Sequence, residues 1–139
     1  MTGVIHVSAV VLRDERGAIL TVRKRGTQRF MLPGGKPEPG EGPRAAAARE
    51  CAEEIGFVVA PEALSVVGEF SAPAANEPGW QVQAHVYSHP APPRVSAAAE
   101  IAELRWLVLD GTALPDDLAP LLETKILPAL GHEGPSQET

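Results

Sequence analysis

Apolar positions along this chain recur with a period of two, then of about 3.6, then of two again, and these changes of period predict the order of its elements. Residues 4–12, VIHVSAVVL, are β-branched and apolar, with polar His6 and Ser8 at alternate positions; this predicts a strand with one wetter face. Asp14-Glu15-Arg16-Gly17 has turn chemistry, and Ala18–Arg23 returns as a second strand, so residues 5–23 predict a hairpin. From Pro43 to Ile55 the period lengthens. Ala, Glu and Arg are good helix formers, a proline fits a first helical turn, and Gly56 stands where a left-handed cap would end the helix. Leu64–Phe70 predicts a third strand, and residues 71–79, rich in Pro and Ala, a loop. In the next strand Trp80, Val82, Ala84 and Val86 share one face, while Gln81, Gln83, His85 and Tyr87 share the other. A Pro- and Ala-rich connection over 88–99 leads to an acidic stretch, Glu100–Glu103, and a strand over 104–109. Leu114–Leu130 predicts a closing helix with Leu118, Leu121, Leu122, Ile126 and Leu130 as its apolar stripe and Asp116 or Asp117 near its start. The polar tail over 132–139 is expected to be disordered. Strands around a central helix, with a second helix at the end, predict one domain over residues 1–131 of α/β (α+β) class; periodicity leaves its topology open.

The central helix has two unlike faces. Ala48, Cys51 and Ile55 can pack on a core, whereas Glu50, Glu53 and Glu54 share a face at i, i+3 and i+4. Like charges at that spacing destabilise a helix by about 0.2–0.5 kcal/mol per pair. Glu53 and Glu54 also lie near the negative end of the helix dipole, where a cation would be preferred. The simplest reading of three helical glutamates is a solvated face. A divalent cation reverses the electrostatic argument, because clustered carboxylates are hard oxygen ligands suited to Mg2+ or Mn2+. Arg49 borders the acidic face and can pair with Glu53, and Glu41 can bend back toward the same cluster.

The spacing of the whole stretch decides between the two. Gly35 is followed by five residues, Glu41, seven residues, Arg49-Glu50, Cys51, one residue, Glu53-Glu54, one residue, then Gly56-Phe57. This pattern resembles the Nudix box of the Nudix hydrolase family at every defined position, with Cys51 in a slot more often aliphatic. The lead-in Phe30-Met31-Leu32-Pro33-Gly34-Gly35 is also similar to that family's. The resemblance implies an α/β/α sandwich with a mixed sheet and the box helix beside it. It implies a metal-dependent hydrolase of the pyrophosphate bond in compounds carrying a nucleoside diphosphate. Glu50, Glu53 and Glu54 become metal ligands, with the Gly34 carbonyl as a further one, and Arg49 orients a glutamate. An acidic stretch before a late strand supplies another ligand or the general base in such proteins. Glu100 and Glu103 are both candidates, beside Glu53 as base, and spacing does not choose between them.

Substrate recognition is less legible. Arg23 and Arg25 end a strand near the proposed site and can hold phosphate, while Lys24 between them reads as a solubilising charge. Phe70, Trp80 and Tyr87 are candidates to stack a base, and core packing is the alternative for each. The small size resembles MutT-like enzymes acting on nucleoside triphosphates, including oxidised ones. ADP-ribose-type sugar nucleotides compete, since Pro73 stands near the place of a proline characteristic of that subfamily. A non-catalytic nucleotide-sensing or protein-binding member would be expected to lose box glutamates, and this chain keeps them. An isomerase of isoprenoid diphosphates commonly needs a cysteine outside the box, and the single Cys51 lies inside it.

Composition narrows the partners. The chain has 139 residues, 44% of them apolar, and a net charge of −6. That charge argues against nucleic-acid polymers and anionic membranes, though metal ions can bridge an acidic protein to a small nucleotide. One cysteine forms no internal disulfide, so a reducing, cytoplasmic setting is expected. No signal peptide or membrane span is read. A homodimer is an expectation that rests on the resemblance alone.

Overall fold

The computed structural model describes residues 3–74 and 77–131. The tail read as disordered, 132–139, lies outside the described residues. Six strands form one mixed sheet: β1 (Val4–Arg13), β2 (Ile19–Lys24), β3 (Gly34–Gly35), β4 (Ser65–Pro73), β5 (Gln81–Pro90) and β6 (Ile101–Leu107). The helix α1 spans Pro43–Ile55, and a short 3-10 turn spans Pro61–Ala63. A C-terminal helix covers residues 120–129.

The strand order is β4-β5-β1-β2-β6. β1 runs parallel to β5 over its full length, from Val4 opposite Gln81 to Arg13 opposite Pro90. β4 pairs antiparallel with β5, and β6 with β2. The expected hairpin is only half realised. Asp14 Oδ1 accepts from the Arg16 and Ala18 amides, both at 2.9 Å, and so closes the turn. Yet β1 and β2 pair only at Arg13 opposite Ile19 and then part. The lead-in to the glycine loop fills the gap. Val10 N donates to Pro33 O at 3.0 Å, while Val22 and Met31 exchange both backbone bonds. The splayed hairpin therefore holds the start of the box against the centre of the sheet.

Both faces of that centre are covered, so the wetter face read for β1 holds at exposed His6 and fails at buried Ser8. Val10 and Leu12 pack toward α1 with Leu20, Val22, Cys51 and Ile55. Ala9 and Val11 pack toward the C-terminal helix with Leu118, Leu122, Ile126 and Leu127. Residues 8–12 are all buried, as expected of a strand with helices on both sides. This is an α/β/α sandwich. Among the described residues no helix is long and apolar enough to cross a membrane.

The elements end where local chemistry stops them. α1 keeps its expected bounds, with Gly56 at φ 75° as left-handed cap. The last helix begins later than Leu114, because Leu118 forms a parallel bridge with Phe30. Phe30 N donates to Asp117 O and Ala119 N to Phe30 O, both at 2.8 Å, and extended pairing excludes a helix there. Its middle, Leu122–Ile126, is π-helical, with Leu127 N donating to Leu122 O. Pro128 follows, has no N–H, and in regular α register would crowd the Thr124 carbonyl; the widened turn accommodates it. Residues 71–73 and 88–90, read as connections, extend the paired strands β4 and β5. β6 begins three residues before the expected start.

Candidate active site

α1 delivers the site because its two faces have different jobs. Ala46, Ala47, Ala48, Cys51 and Ile55 are buried against the sheet, which points the glutamates along the edge of the glycine loop. Burial pushes the Cys51 thiol up to about 12, so it packs as an apolar residue and forms no thiolate nucleophile. The end of the helix is tied down by the segment before β6. Ser96 N donates to Ile55 O at 3.2 Å and Ala98 N to Glu54 O at 3.0 Å, satisfying carbonyls a helix end leaves open. The same tie sets Glu100 at the rim of the glutamate face, next to Ala99 at φ 53°.

Two glycines make room of different kinds. A Cβ on Gly34 would collide with the Ser8 carbonyl and crowd the Ala9 Cα, so the loop passes too close to β1 for any side chain. A Cβ on Gly35 would collide instead with the Glu50 carboxylate. The first glycine serves the sheet, and the second keeps space for a glutamate.

Two cations of the chain organise the carboxylates. Arg49 Nε and Nη2 each donate to Glu41 at 2.9 Å in a bidentate pair. Its Nη1 reaches Glu50 and Glu53, both at 3.3 Å, and Nη2 also donates to Lys36 O at 3.2 Å. The Arg49 pair, helped by the Glu38 amide, lowers Glu41 to about 2, so Glu41 stays ionised. Glu54 is different. Its side chain is only 5% exposed, and Oε1 accepts from the Gly34 amide at 3.1 Å. Lys24 Nζ stands 3.3 Å from its Oε2 and donates to Gly34 O at 3.1 Å. Burial raises Glu54 to about 7, against the opposing pull of Lys24.

Glu50, Glu53 and Glu54 line an open recess of about 520 Å³ together with Arg49, Lys24 and Glu100. Glu103 does not join them. Its Oε1 accepts from Arg23 Nε at 3.1 Å, and the pair lies in a separate recess with Phe30, Arg105 and Asp117. Of the two late carboxylates read from the sequence, the fold brings Glu100 to the box and turns Glu103 away. Arg23 turns away with it. Arg25 is exposed and serves through its backbone, whose N–H donates to Glu100 O at 2.8 Å.

An apolar cavity of about 200 Å³ adjoins the acidic recess, and Val7, Lys24, Gly35 and Lys36 line both. Its walls include Ile5, Leu32, Val82, Leu122 and Ile126, with Pro73 and Glu77 on one side. None of the three aromatic candidates is among its lining residues. Tyr87 is buried under α1 with the Arg44 guanidinium 5.0 Å over its ring, so of its two readings core packing holds and base stacking does not. Trp80 precedes β5 rather than starting it, and its ring lies where a Gly3 side chain would be. Phe70 packs against the core beneath the C-terminal helix. His85 stands opposite Glu69 across β4 and β5, with Nδ1 3.7 Å from Glu69 Oε2. Sequence reasoning missed the cavity because it is assembled from segments far apart in the chain, and missed Lys24 because it stands in a run of cations.

The donors fit a hard divalent cation: four carboxylates and a backbone carbonyl, all oxygen. Among the described residues, no three acidic, His or Cys side chains stand close enough together to enclose an ion as they lie. Arg49 and Lys24 occupy the intervening space. The Lys24 ammonium between Gly34 O and Glu54 is itself a cation on that donor pair, and marks the position as one that takes positive charge.

Comparison with known proteins agrees with this geometry. Residues 4–129 match the family model described as NUDIX domain. Among solved structures, the MutT protein from Methanosarcina mazei superposes with a TM-score of 0.67 at 24% identity, covering 84% of this chain and 88% of that one. The MutT NUDIX hydrolase from Burkholderia pseudomallei gives 0.66 at 21%, covering 81% and 88%. A bifunctional NMN adenylyltransferase/ADP ribose pyrophosphatase from Francisella tularensis, complexed with AMP and a Mn ion, gives 0.69 at 19%, covering 91% of this chain and 41% of that one. At these identities the likenesses speak for the fold. Among curated proteins none matches.

Proposed function

The chain belongs to the NUDIX domain family, the pyrophosphohydrolases that the complete box implied, and from that premise we propose that it hydrolyses the pyrophosphate bond of nucleoside triphosphates or modified nucleotides. The products are a nucleoside monophosphate and pyrophosphate. The observation that carries this reading is the junction of the two cavities. An acidic recess rich in oxygen ligands opens, past Lys24 and Lys36, into an apolar cavity. A compound with a polyanionic chain at one end and a flat, weakly polar group at the other spans both.

Glu50, Glu53, Glu54 and Glu100, with the Gly34 carbonyl, would hold Mg2+ or Mn2+. Bound there, such an ion would neutralise diphosphate charge and acidify an attacking water. The chain's own residues do the rest. Arg49 holds Glu50 and Glu53 in place, and Glu41 fixes Arg49 in turn. Gly35 leaves the space in which the Glu50 carboxylate sits. Glu53, whose side chain is 53% exposed, or Glu100 takes the proton from water; Glu103 is engaged by Arg23 in the other recess.

One observation favours a second reading. Pro73 lines the apolar cavity, so an ADP-ribose-type sugar nucleotide is the alternative substrate, and ADP ribose pyrophosphatase is the activity named for the Francisella protein. The test is a panel of nucleoside triphosphates, oxidised nucleotides, ADP-ribose and dinucleoside polyphosphates with Mg2+ or Mn2+, products being separated by chromatography. Monophosphate and pyrophosphate from a triphosphate support the first reading. Turnover of ADP-ribose alone supports the second. No turnover of any member, with metal bound, would leave a non-catalytic nucleotide-binding protein.

A further inference from the structure

Lys24 has no role in the proposed reaction beyond lining the junction, yet its placement beside Glu54 and Gly34 O is specific. It ends β2, and the pairing of β2 with β6 slips there: Arg23 faces Glu103, Lys24 faces Ile101, and Ala102 is passed over. Such irregularities re-aim side chains. Arg23 bonds Glu103 in one recess, while the next residue, Lys24, reaches Gly34 O and Glu54 in the other. Its side chain is 25% exposed, and its ammonium thereby contacts two of the oxygen groups assigned to the divalent ion.

We propose that Lys24 is the resident counter-ion of the metal site, and that a divalent ion must displace its ammonium from Gly34 O and Glu54 in order to bind. This rests on the metal reading of the box. The physical argument is competition. A carboxylate as buried as Glu54 needs positive charge nearby, and the lysine supplies it when metal is absent. Two cations cannot share the same two oxygens, so the lysine holds metal affinity down. Once displaced, Lys24 stands where the acidic and apolar cavities meet.

The test is Mg2+ binding by isothermal titration calorimetry, without substrate, at pH 8.5, above the value of about 7 to which burial raises Glu54. Lys24→Met keeps the aliphatic stem, and Lys24→Gln keeps a donor for Gly34 O; thermal melts confirm that each is folded. Both variants are expected to bind Mg2+ about tenfold more tightly, the fold-change of roughly 1.4 kcal/mol for one removed charge contact. A second readout needs no variant. The chain has three lysines, Lys24, Lys36 and Lys125. After reductive 13C-methylation, Mg2+ is expected to shift the Lys24 methyl signal and leave that of Lys125 in place. Unchanged or weaker binding in both folded variants, or a Lys24 signal that ignores bound Mg2+, would overturn the inference alone. A wild-type protein that binds no Mg2+ would overturn the metal reading and this inference with it.

Discussion

At the scale of residues, the site rests on neighbours that give like groups unlike properties. Glu41 and Glu54 are both box-region glutamates, but one is paired with Arg49 and the other is buried. In metal-free protein, carboxyl chemical shifts should follow Glu41 with a midpoint of about 2 and Glu54 of about 7. The signs for stability are opposite. Glu41 stabilises the fold above its ordinary value of 4.5, and that contribution is lost as pH falls toward 2. Glu54 favours the metal-free fold when protonated, and this is lost as pH rises through about 7. Arg49→Ala should return Glu41 toward 4.5; a midpoint that stays low would refute the arginine as its cause. The glycines make a second contrast. Gly34→Ala should destabilise by about 2 kcal/mol or more in urea unfolding, because its Cβ meets β1 backbone. Gly35→Ala meets only the mobile end of Glu50, so the fold should hold while metal-dependent hydrolysis falls. Equal stability losses in the two variants would contradict this division.

At the scale of elements, what was legible in the sequence is what local chemistry decides. Pro43 and Gly56 bound α1 as read, because a first-turn proline and a left-handed cap are properties of those residues. No heavy atom nearer than Ser96 Oγ, at 3.7 Å, surrounds a Cβ built at Gly56. Gly56→Ala should therefore lose only the conformational term, about 1 kcal/mol in urea unfolding, and no loss would mean that the cap is not left-handed. Partnership between distant segments was not legible. Nothing in VIHVSAVVL announces that α1 covers the face bearing Ser8, nor does the stripe after Leu114 reveal that Phe30 claims Leu118 as an extended partner. The separation of Glu100 from Glu103 turns on the strand register and on the tie between Ala98 and Glu54 O, and residue spacing cannot show either.

At the scale of the molecule, the splayed β1–β2 pair, the glycine loop between them and α1 above form one unit that carries the carboxylates, while the C-terminal helix on the opposite face closes the apolar cavity. The acidic recess and the apolar cavity thus draw on opposite layers of the sandwich and meet at Lys24 and Lys36. On the proposed function, the α1 carboxylates act together with a divalent ion on a phosphoanhydride bond. The most direct test is pyrophosphate release from a nucleoside triphosphate at saturating Mn2+, comparing wild type with Glu54→Gln. The substitution keeps side-chain size and removes the anionic oxygen, so we expect a loss of about a thousandfold or more in kcat, with the fold intact by circular dichroism. Wild-type turnover that survives Glu54→Gln, or that persists undiminished when the ion is chelated, would contradict the account.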